Sequence, residues 1–434
     1  MNEFKVLLLL ICVISITVTQ SQKPFYCQAP LPVFIKNIEC DHSLSNPSEN
    51  TNGLTLKMVQ VVTRHGDRTP LYSTMNGLMD EWNCTLGSYM LPSQGNNGET
   101  LNNVDLLYRK VYLPGREYLP GNCSLGQLTA LGYQQHINLG QAFRSLYVYK
   151  YALLSETLDE SEIWVRSTDV PRTLQSAQGH LTGLYPPGTT GETGQNSVNI
   201  IDIFTMDSYF ENMEPNNNLC PILVQYYYNN TDSQTYYQFN KENYNLKKEI
   251  EQALDINKAP DWSDLMDLFF ATQCHGFDLP PGITESVVNA TYQASLWENN
   301  YLLSPSIVNR LSMSTFFEEI INNIEEFISG NITTKYFIFS GHDDTVGPLM
   351  MLFGIDQYWP PYASHVEFEL WEDDNSNKFI QLKYNGVSIE VSGCSSTMCP
   401  IDEFFETAYS ILVPDYSDAC QPTSSSNESG SVWP

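Results

Sequence analysis

Short apolar runs of strand length alternate along the chain with stretches of helical spacing. The first clear run, LKMVQVV at 56–62, is nearly continuous in apolar residues, which is typical of a parallel strand covered on both faces. Further strands are predicted at 162–165, 335–340, 365–371 and 378–383. Helical spacing predicts helices from about 128 with Thr129 as a cap, from Pro171, at 242–255, at 305–328 and at 402–411. This order of elements favours an α/β fold.

The alternation of strands and helices is interrupted in the middle of the chain. At 185–302 the sequence turns to Tyr- and Asn-rich loops and helices, which predicts an inserted, mostly helical subdomain. The α/β core is therefore expected in two parts, 22–184 and 303–420, and the Ser-rich segment 421–434 is expected to be a flexible tail. Residues 73–125 are rich in Gly, Asn, Pro and Tyr and are interpreted as an irregular surface excursion.

The N-terminus has the layout of a secretory signal peptide. A lysine at position 5 precedes an apolar run at 6–18, and the small residues Thr19 and Ser21 suit cleavage before Gln22, so 1–21 is assigned to this peptide. An uncleaved anchor is the alternative, but the run is shorter than the ~20 apolar residues that span a bilayer. No later stretch is long and apolar enough to cross a membrane. We therefore expect a secreted protein or one in the lysosomal lumen.

The cysteines fit an oxidising compartment. Nine remain after the signal peptide, an odd number, so at least one thiol is free or pairs between chains. Cys394 and Cys399 lie in the turn-rich segment SGCSSTMC and are predicted to form a local disulfide, whereas the other pairings stay open. A zinc site is disfavoured because CxxC and HxxxH spacings are missing. Sequons predict N-glycosylation at six asparagines: Asn83, Asn122, Asn229, Asn289, Asn331 and Asn427.

The net charge of the chain disfavours some classes of binding partner. With 21 basic and 50 acidic residues the formal net charge is −29, which disfavours nucleic acid and anionic membranes as partners. The 42% of hydrophobic residues is typical of a globular protein. An anionic ligand must therefore meet a local cluster of arginines.

Such clusters follow three predicted strands. Arg64 and Arg68 flank His65 after the first strand, a second block carries Arg166 and Arg172, and His342 with Asp343 follows the strand at 335–340. Polar residues at the C-terminal ends of buried parallel strands lie where open α/β sheets bind ligands. Guanidinium groups bind phosphate oxygens in a bidentate manner. Two cations beside an imidazole keep it neutral and nucleophilic, although a histidine bonded structurally inside a turn is the alternative. Gly66 is interpreted as allowing the backbone to approach a ligand.

These blocks resemble the histidine acid phosphatases, branch two of the histidine phosphatase superfamily. RHGDRTP at 64–70 is similar to the RHGxRxP signature of that family, and GHDDT at 341–345 is similar to its second, His-Asp motif. The segments GQLTALGYQQHINLG at 126–140 and VRSTDVPRTLQSAQGHLTGLYPP at 165–187 also resemble the family, in the expected order. The resemblance runs from about 56 to 411.

The resemblance implies a fold and a mechanism. The fold would be a three-layer α/β sandwich with a mainly parallel central sheet and an inserted helical cap. His65 would attack phosphorus and Asp343 would protonate the leaving alcohol, with no metal or other cofactor. Four residues would bind the phosphate: Arg64, Arg68, Arg172 and His342. Arg166 is assigned to structure, and Thr69 to shaping the loop.

Three departures from the family pattern bear on these expectations. Asp344 stands where animal acid phosphatases usually have Thr; its expected role is to cap the following helix, and the alternative is that its charge lowers activity. His365 stands where the family often has a cysteine whose usual partner matches Cys274, so the resemblance implies that Cys274 is the unpaired thiol. The segment 73–125 is longer than in the shorter acid phosphatases.

Two functions stay open at this point. One is an acid phosphatase that hydrolyses small phosphomonoesters, with an acidic pH optimum because Asp343 is more readily protonated in acid. The other is a secreted signalling or structural subunit that uses a phosphatase fold as a binding module. The complete motif set favours the enzyme. Cys-x5-Arg, Walker and two-metal patterns are missing. A homodimer and an extracellular hetero-complex both remain open.

Overall fold

We describe a computed structural model of the chain. The residues described are 25–32, 53–72, 80–85, 119–189, 201–303, 306–355 and 359–422. The signal-peptide segment, most of the excursion at 73–125, Asn427 and nearly all of the Ser-rich tail lie outside these ranges.

The central sheet of the described residues is mixed. Its strands are β1 (Leu54–Arg64), β2 (Ile163–Ser167), β3 (Ile203–Phe204), β4 (Tyr336–Gly341), β5 (His365–Asp373), β6 (Lys378–Tyr384), β7 (Val387–Ser388) and β8 (Cys399–Pro400). Their order is β3-β2-β4-β1-β5-β6-β7, and β8 pairs with β6. The four strands β3, β2, β4 and β1 are parallel, as predicted, whereas β5 to β8 are added antiparallel. The short connection 374–377 between β5 and β6 allows only antiparallel pairing.

The five helices predicted from the sequence are present near the expected positions, and the described residues form further helices between them. They are α1 (Ala130–Phe143), α2 (Pro171–Leu184), α3 (Ile222–Thr231), α4 (Gln234–Glu242), α5 (Tyr244–Leu254), α6 (Trp262–Cys274), α7 (Glu285–Leu303), α8 (Ser306–Ile328), α9 (Asp343–Leu352), α10 (Ile401–Ile411) and α11 (Tyr416–Ala419). A π-helical turn at Arg144–Lys150 extends α1. Thr129 caps α1 by accepting a hydrogen bond from Gly132 N at 3.1 Å, and Pro171 opens α2, both as predicted.

Helices cover both faces of the sheet, which makes the core three-layered. On one face α1 and α2 pack on the sheet through a shared cluster that includes Phe143, Leu184, Val59 and Ile338. On the other face α8, α9 and α10 pack through a second cluster that includes Phe317, Leu349, Phe404 and Phe339. Because both faces are covered, Val59, Val61 and Val62 of β1 are all fully buried, which explains the continuous apolar run of this strand.

The inserted segment is mostly helical, as predicted. Helices α4 to α7, which we call the cap helices, enclose a hydrophobic cluster of their own that includes Phe239, Trp262 and Phe269. Tyr26 and Trp82 join this cluster from outside the cap helices, and Tyr26 stacks on Phe270 at a ring-centre distance of 3.5 Å. The cap helices are therefore tied to the N-terminal part of the chain by apolar contacts.

The eight cysteines of the described residues form four disulfides. The predicted pair Cys394–Cys399 is confirmed. The other bonds join Cys27 to Cys274, Cys84 to Cys123, and Cys220 to Cys420. The expectation that Cys274 is the unpaired thiol is therefore wrong, because the N-terminal Cys27 takes the place of the missing partner at position 365. The ninth cysteine, Cys40, lies outside the described residues.

The surface of the described residues agrees with two expectations. Asn83, Asn122, Asn229, Asn289 and Asn331 are all exposed, so each sequon is open to modification, which stays a prediction. Every helix in the described ranges is too short or too polar to cross a bilayer.

Candidate active site

The three motif-bearing strand ends meet at one edge of the sheet. Strands β2, β4 and β1 are neighbours, and Arg64 of β1 pairs in register with Gly341 of β4. Ser167 of β2 pairs with Ser340 of β4. Because the strands are parallel, their carboxyl ends bring the loops that start at His65, Thr168 and His342 together, as the sequence predicts.

His65 is fully buried and has one nitrogen without a partner. Its Nδ1 lies 2.7 Å from the carbonyl oxygen of Gly66, which can only accept, so Nδ1 carries the proton. Nε2 has no hydrogen-bond partner among the described residues and therefore presents a lone pair. Burial lowers the pKa of His65 well below its usual value, and Arg172, Arg64, Arg68 and His342 lower it further. His65 is thus a neutral imidazole with a free nucleophilic nitrogen.

Three guanidinium groups lie around His65, each anchored at one side. Those of Arg64 and Arg68 are buried, and that of Arg172 is half-buried. Arg64 donates to the carbonyl oxygen of Pro360 at 2.5 Å and lies 4.5 Å from the ring centre of Tyr362. Arg68 pairs with Asp267, and Arg172 donates to Nδ1 of His342 at 3.2 Å. Among the described residues the Nε of each arginine lacks a partner. Anchored cations with spare donors are what a bound oxyanion requires.

The charge on these arginines is only partly balanced. Burial, together with the neighbouring Arg68, lowers the pKa of Arg172 to about 10, although Asp343, Asp344 and Asp267 oppose the effect. Arg172 stays charged at neutral and acidic pH. Because like charges are held close together in a buried place, the pocket favours an anion.

His342 is oriented by two hydrogen bonds. Arg172 can only donate, so Nδ1 of His342 accepts from it, and Nε2 carries the proton that it donates to Thr168 Oγ1 at 2.9 Å. Burial lowers the pKa of His342 well below its usual value, and the three arginines add to this effect. The rings of His65 and His342 lie 5.6 Å apart. The two imidazoles predicted from separate motifs therefore share one pocket.

Asp343 lies at the first position of α9, on the open side of the pocket. Its side chain is 19% exposed, and its Oδ2 lies 3.6 Å from Nη2 of Arg64. This carboxyl group reaches both solvent and the arginine cluster. A group in that position can exchange a proton with water and with a bound ligand.

The loop of the first motif is held from outside the sheet. His136 of α1 donates from Nε2 to the carbonyl oxygen of Arg64 at 3.0 Å, and Gly66 N donates to Ser176 of α2 at 3.1 Å. Thr69 donates to the carbonyl oxygen of Ser124 at 2.7 Å, so its role in shaping the loop is confirmed. These bonds fix the direction of the His65 side chain.

The structure shows a backbone contact at Gly66 that the sequence did not predict, while the approach of a ligand to this glycine stays a prediction. A Cβ atom at Gly66 would lie 2.2 Å from the carbonyl oxygen of Gly132, at the start of α1. A Cβ atom at Gly132 would in turn lie 2.0 Å from the carbonyl oxygen of Asp67. The two glycines therefore allow the motif loop and α1 to touch backbone to backbone.

Arg166 and Asp344 complete the set of predicted residues. Arg166 is buried and pairs with Glu211 at 2.7 Å and with Glu319, so its assignment to structure is confirmed.

Asp344 is not the cap of α9: the N-cap is His342, whose backbone N–H donates to Thr345 Oγ1 at 3.0 Å. Thr345 lies three residues after His342, and its short hydroxyl group reaches back to accept this hydrogen bond. Asp344 lies in the first turn of the helix instead.

Three residues near the pocket were not predicted from the sequence. Asp267 of α6 lies 2.7 Å from Nη1 of Arg68 and also accepts from the backbone of Leu71. His275, just after α6, contacts the buried carboxylate of Asp67 at 2.5 Å. Glu214, between β3 and α3, lies 3.8 Å from Nε2 of His342. Each is far from the motifs in sequence, and no spacing rule points to them. Within the described ranges, no three His, Cys, Asp or Glu side chains converge as metal ligands.

Comparisons with known proteins agree with this geometry. The sequence profile described as "Histidine phosphatase superfamily (branch 2)" matches residues 55–385. Counting factor 60 of Dictyostelium discoideum is 55% identical over 406 residues, which cover 93% of this chain and 94% of the relative. Lysophosphatidic acid phosphatase type 6 of Homo sapiens is 30% identical over 386 residues, which cover 85% of this chain and 87% of the relative.

A solved structure shows the same fold at low sequence identity. The phytase from Citrobacter braakii superposes with a TM-score of 0.57 at 15% identity, covering 85% of this chain and 100% of the phytase. The similarity supports the arrangement of sheet and helices described above.

Proposed function

This chain belongs to branch 2 of the histidine phosphatase superfamily, and on that premise we propose that it is an acid phosphatase that hydrolyses phosphomonoesters through a phosphohistidine intermediate. The observation that carries the proposal is the unpartnered, unprotonated Nε2 of His65 among three arginines, Arg64, Arg68 and Arg172. A nucleophile and a set of oxyanion donors in one pocket are the parts that phosphoryl transfer needs.

In the first step Nε2 of His65 attacks the phosphorus atom of the substrate. A P–N bond forms while the P–O bond to the leaving group breaks, and the leaving oxygen takes the proton of the Asp343 carboxyl group. Arg64, Arg68 and Arg172 balance the charge on the other phosphate oxygens, and the neutral His342 beside Arg172 is assigned to the same phosphate site as a hydrogen-bonding group. The products are an alcohol, phosphorylated His65 and an Asp343 carboxylate.

In the second step water attacks the phosphorus atom from the side that the alcohol has left. The Asp343 carboxylate takes a proton from this water, the P–N bond breaks, and inorganic phosphate leaves. His65 and protonated Asp343 are restored. No metal or other cofactor enters either step.

An acidic optimum follows from the state of both groups. An ordinary histidine has a pKa near 6.5 and is mostly protonated at pH 5, where it has no lone pair for attack. The lowered pKa of His65 keeps its nitrogen unprotonated under these conditions. The general acid, in contrast, is needed in its protonated form, and acidity favours that form.

We assign the protein to the secretory route, either outside the cell or in the lysosomal lumen. The signal-peptide pattern, the six sequons and the four disulfides support this assignment. The segment 73–125 and the cap helices are where we expect substrate choice to be determined.

Hydrolysis of an aryl phosphate by the glycosylated protein, with a chelator present and from pH 3 to 8, tests the proposal. We expect activity that peaks in acid and falls on the order of 10³-fold or more in His65→Ala. Asp343→Ala should lose most activity on alkyl phosphates, whose leaving groups need a proton, and less on aryl phosphates. Arg310→Ala, outside the pocket, is the control.

A second candidate is a signalling or structural subunit with little catalysis. The 55% identity to a relative named as a counting factor rather than as an enzyme supports it. A wild-type protein no faster than His65→Ala at every pH, on aryl and natural phosphomonoesters alike, would favour this second candidate. A large hetero-complex of native protein in size exclusion would then identify the partners.

A further inference from the structure

Two carboxyl groups of the pocket have no part in the mechanism proposed above. Glu214 comes from the loop between β3 and α3, and its Oε2 lies 3.8 Å from Nε2 of His342. Asp344 follows the general acid in α9, and its Oδ1 is buried without a hydrogen-bond partner among the described residues. An unpartnered buried carboxyl oxygen is costly to the fold, which indicates that it serves a ligand.

The position of Glu214 defines the side of the pocket at which it lies. Its side chain is 34% exposed, while the His342 side chain that it approaches is only 4% exposed. Glu214 therefore lies between the buried imidazole of His342 and solvent. A substrate group that extends beyond the phosphate on this side meets this carboxyl group.

Both carboxyl groups are held in an environment that disfavours their charge. Burial, with smaller contributions from Glu211 and Asp343, raises the pKa of Glu214 to about 7, against the opposing effect of Arg172 of α2. Burial also raises the pKa of Asp344 well above its usual value, with Glu214 and Asp343 adding to the effect and Arg172 opposing it. Glu211 itself is paired with Arg166 of β2, which also contacts Glu319 of α8. Nearby His342 is neutral.

We propose that Glu214 and Asp344, which lie beside His342 and Asp343, select monophosphates with a hydroxyl or amino group close to the ester and disfavour a second phosphate there. The inference rests on the proposed function, since it names the substrate class of the same pocket. In acid both groups carry a proton and donate or accept hydrogen bonds. As Glu214 loses its proton near neutral pH, its charge attracts an ammonium group and repels a neighbouring phosphate.

The test compares glycerol 3-phosphate with glycerol 2,3-bisphosphate, which differ only in a second phosphate beside the first. The value of kcat/KM for glycerol 3-phosphate is divided by that for glycerol 2,3-bisphosphate. This ratio is measured in wild type and in Glu214→Gln at pH 5 and pH 7.5. The phosphates themselves gain charge over this interval, so wild type and variant are compared at the same pH. We expect the wild-type ratio to exceed that of Glu214→Gln roughly tenfold at pH 7.5 and by much less at pH 5.

Asp344→Thr gives a second, independent variant in case Glu214→Gln does not fold. It introduces the residue usual in the resembling acid phosphatases, and it should lower the preference for the monophosphate in the same direction. Glu249→Gln, on the exposed surface of α5, is the matched control and should leave the ratio unchanged. Equal ratios in wild type, Glu214→Gln and Asp344→Thr at both pH values would overturn the inference.

A binding experiment separates this inference from the proposed function. Calorimetry of inorganic phosphate and of pyrophosphate with the same variants measures selection without turnover. A chain that favours phosphate over pyrophosphate in a Glu214-dependent manner but hydrolyses no ester supports the inference and contradicts the proposed function. A chain that hydrolyses esters but shows no Glu214-dependent preference in either experiment contradicts the inference alone.

Discussion

At the scale of single residues, the pocket depends on histidines kept neutral by burial. His65 is neutral because it is buried beside three arginines, and its proton is held on Nδ1 by Gly66. His136, which donates to the backbone carbonyl oxygen of Arg64, is also kept neutral by burial, which lowers its pKa to about 4. In the unfolded chain both rings return to a pKa near 6.5 and take up protons in acid. The neutrality needed for catalysis thus costs stability at low pH.

The loss of stability at low pH can be measured at His136. Its folded pKa of about 4 lies below the unfolded value, so the unfolded chain binds more protons between these values, and stability falls as the pH falls from 6.5 towards 4. His136→Gln keeps an N–H donor for the carbonyl oxygen of Arg64 but does not titrate. We expect the free energy of unfolding of wild type, relative to His136→Gln, to drop by about 2 kcal/mol between pH 7 and pH 5.

Urea unfolding of both proteins at the two pH values measures this difference. A wild-type curve that stays parallel to that of His136→Gln across the interval would show that His136 is protonated equally in the folded and unfolded chain, contrary to the buried, neutral ring described here.

Residues of the pocket were predictable where the reactive side chains lie close together in the sequence. Arg64, His65 and Arg68 are recognisable because one short segment combines a nucleophile with two cations. At Gly66 the sequence indicates that a close approach is needed but does not show that one close neighbour is the backbone of Gly132. Glu214 carries no local signal, since it reaches His342 only through the fold of the loop after β3.

At the scale of elements, the cap helices and the motif loop are joined by buried polar contacts. Asp267 of α6 neutralises Arg68 and accepts from the backbone of Leu71, and His275 contacts Asp67 in the same loop. The disulfide from Cys274 to Cys27 fixes the end of α6 next to these contacts. Helix α6 therefore belongs to the support of the pocket as well as to the cap.

Removing the charge of Asp267 tests this link. Asp267→Asn leaves the buried guanidinium group of Arg68 without its ion-pair partner, so we expect the free energy of unfolding to fall by about 3 kcal/mol. Asp278→Asn, an exposed position shortly after α6, is the control and should change stability little. Denaturant unfolding at neutral pH gives both values. Equal losses in the two variants would mean that the contact between α6 and Arg68 contributes nothing specific.

Element positions were largely predictable and their pairing was not. The continuous apolar run of β1 indicates a strand covered on both faces, and Thr129 and Pro171 mark helix starts by local chemistry. Strand direction, in contrast, depends on where the chain returns to the sheet: β5 lies antiparallel beside β1 although more than 300 residues separate their starts. Nothing within His365–Asp373 encodes that neighbour.

At the scale of the whole molecule, a strongly acidic chain gathers its few cations into one pocket. Three of its eight arginines surround His65, while the net charge is −29. Where the family resemblance implies a partner for Cys274 at position 365, this chain has His365, and Cys274 is bonded to Cys27 instead. Such replacements follow from three-dimensional proximity and cannot be deduced from cysteine spacing.

The measurement that tests the central claim most directly is mass analysis of the His65 peptide after reaction of Asp343→Asn with an aryl phosphate. An activated aryl leaving group needs no general acid, whereas hydrolysis of the intermediate loses its base in this variant. After a rapid quench in alkali, in which phosphohistidine is stable, we predict a phosphoryl group on His65 in close to one copy per chain, and none in His65→Ala. Release of the aryl alcohol without any phosphoryl group on His65 would contradict the account.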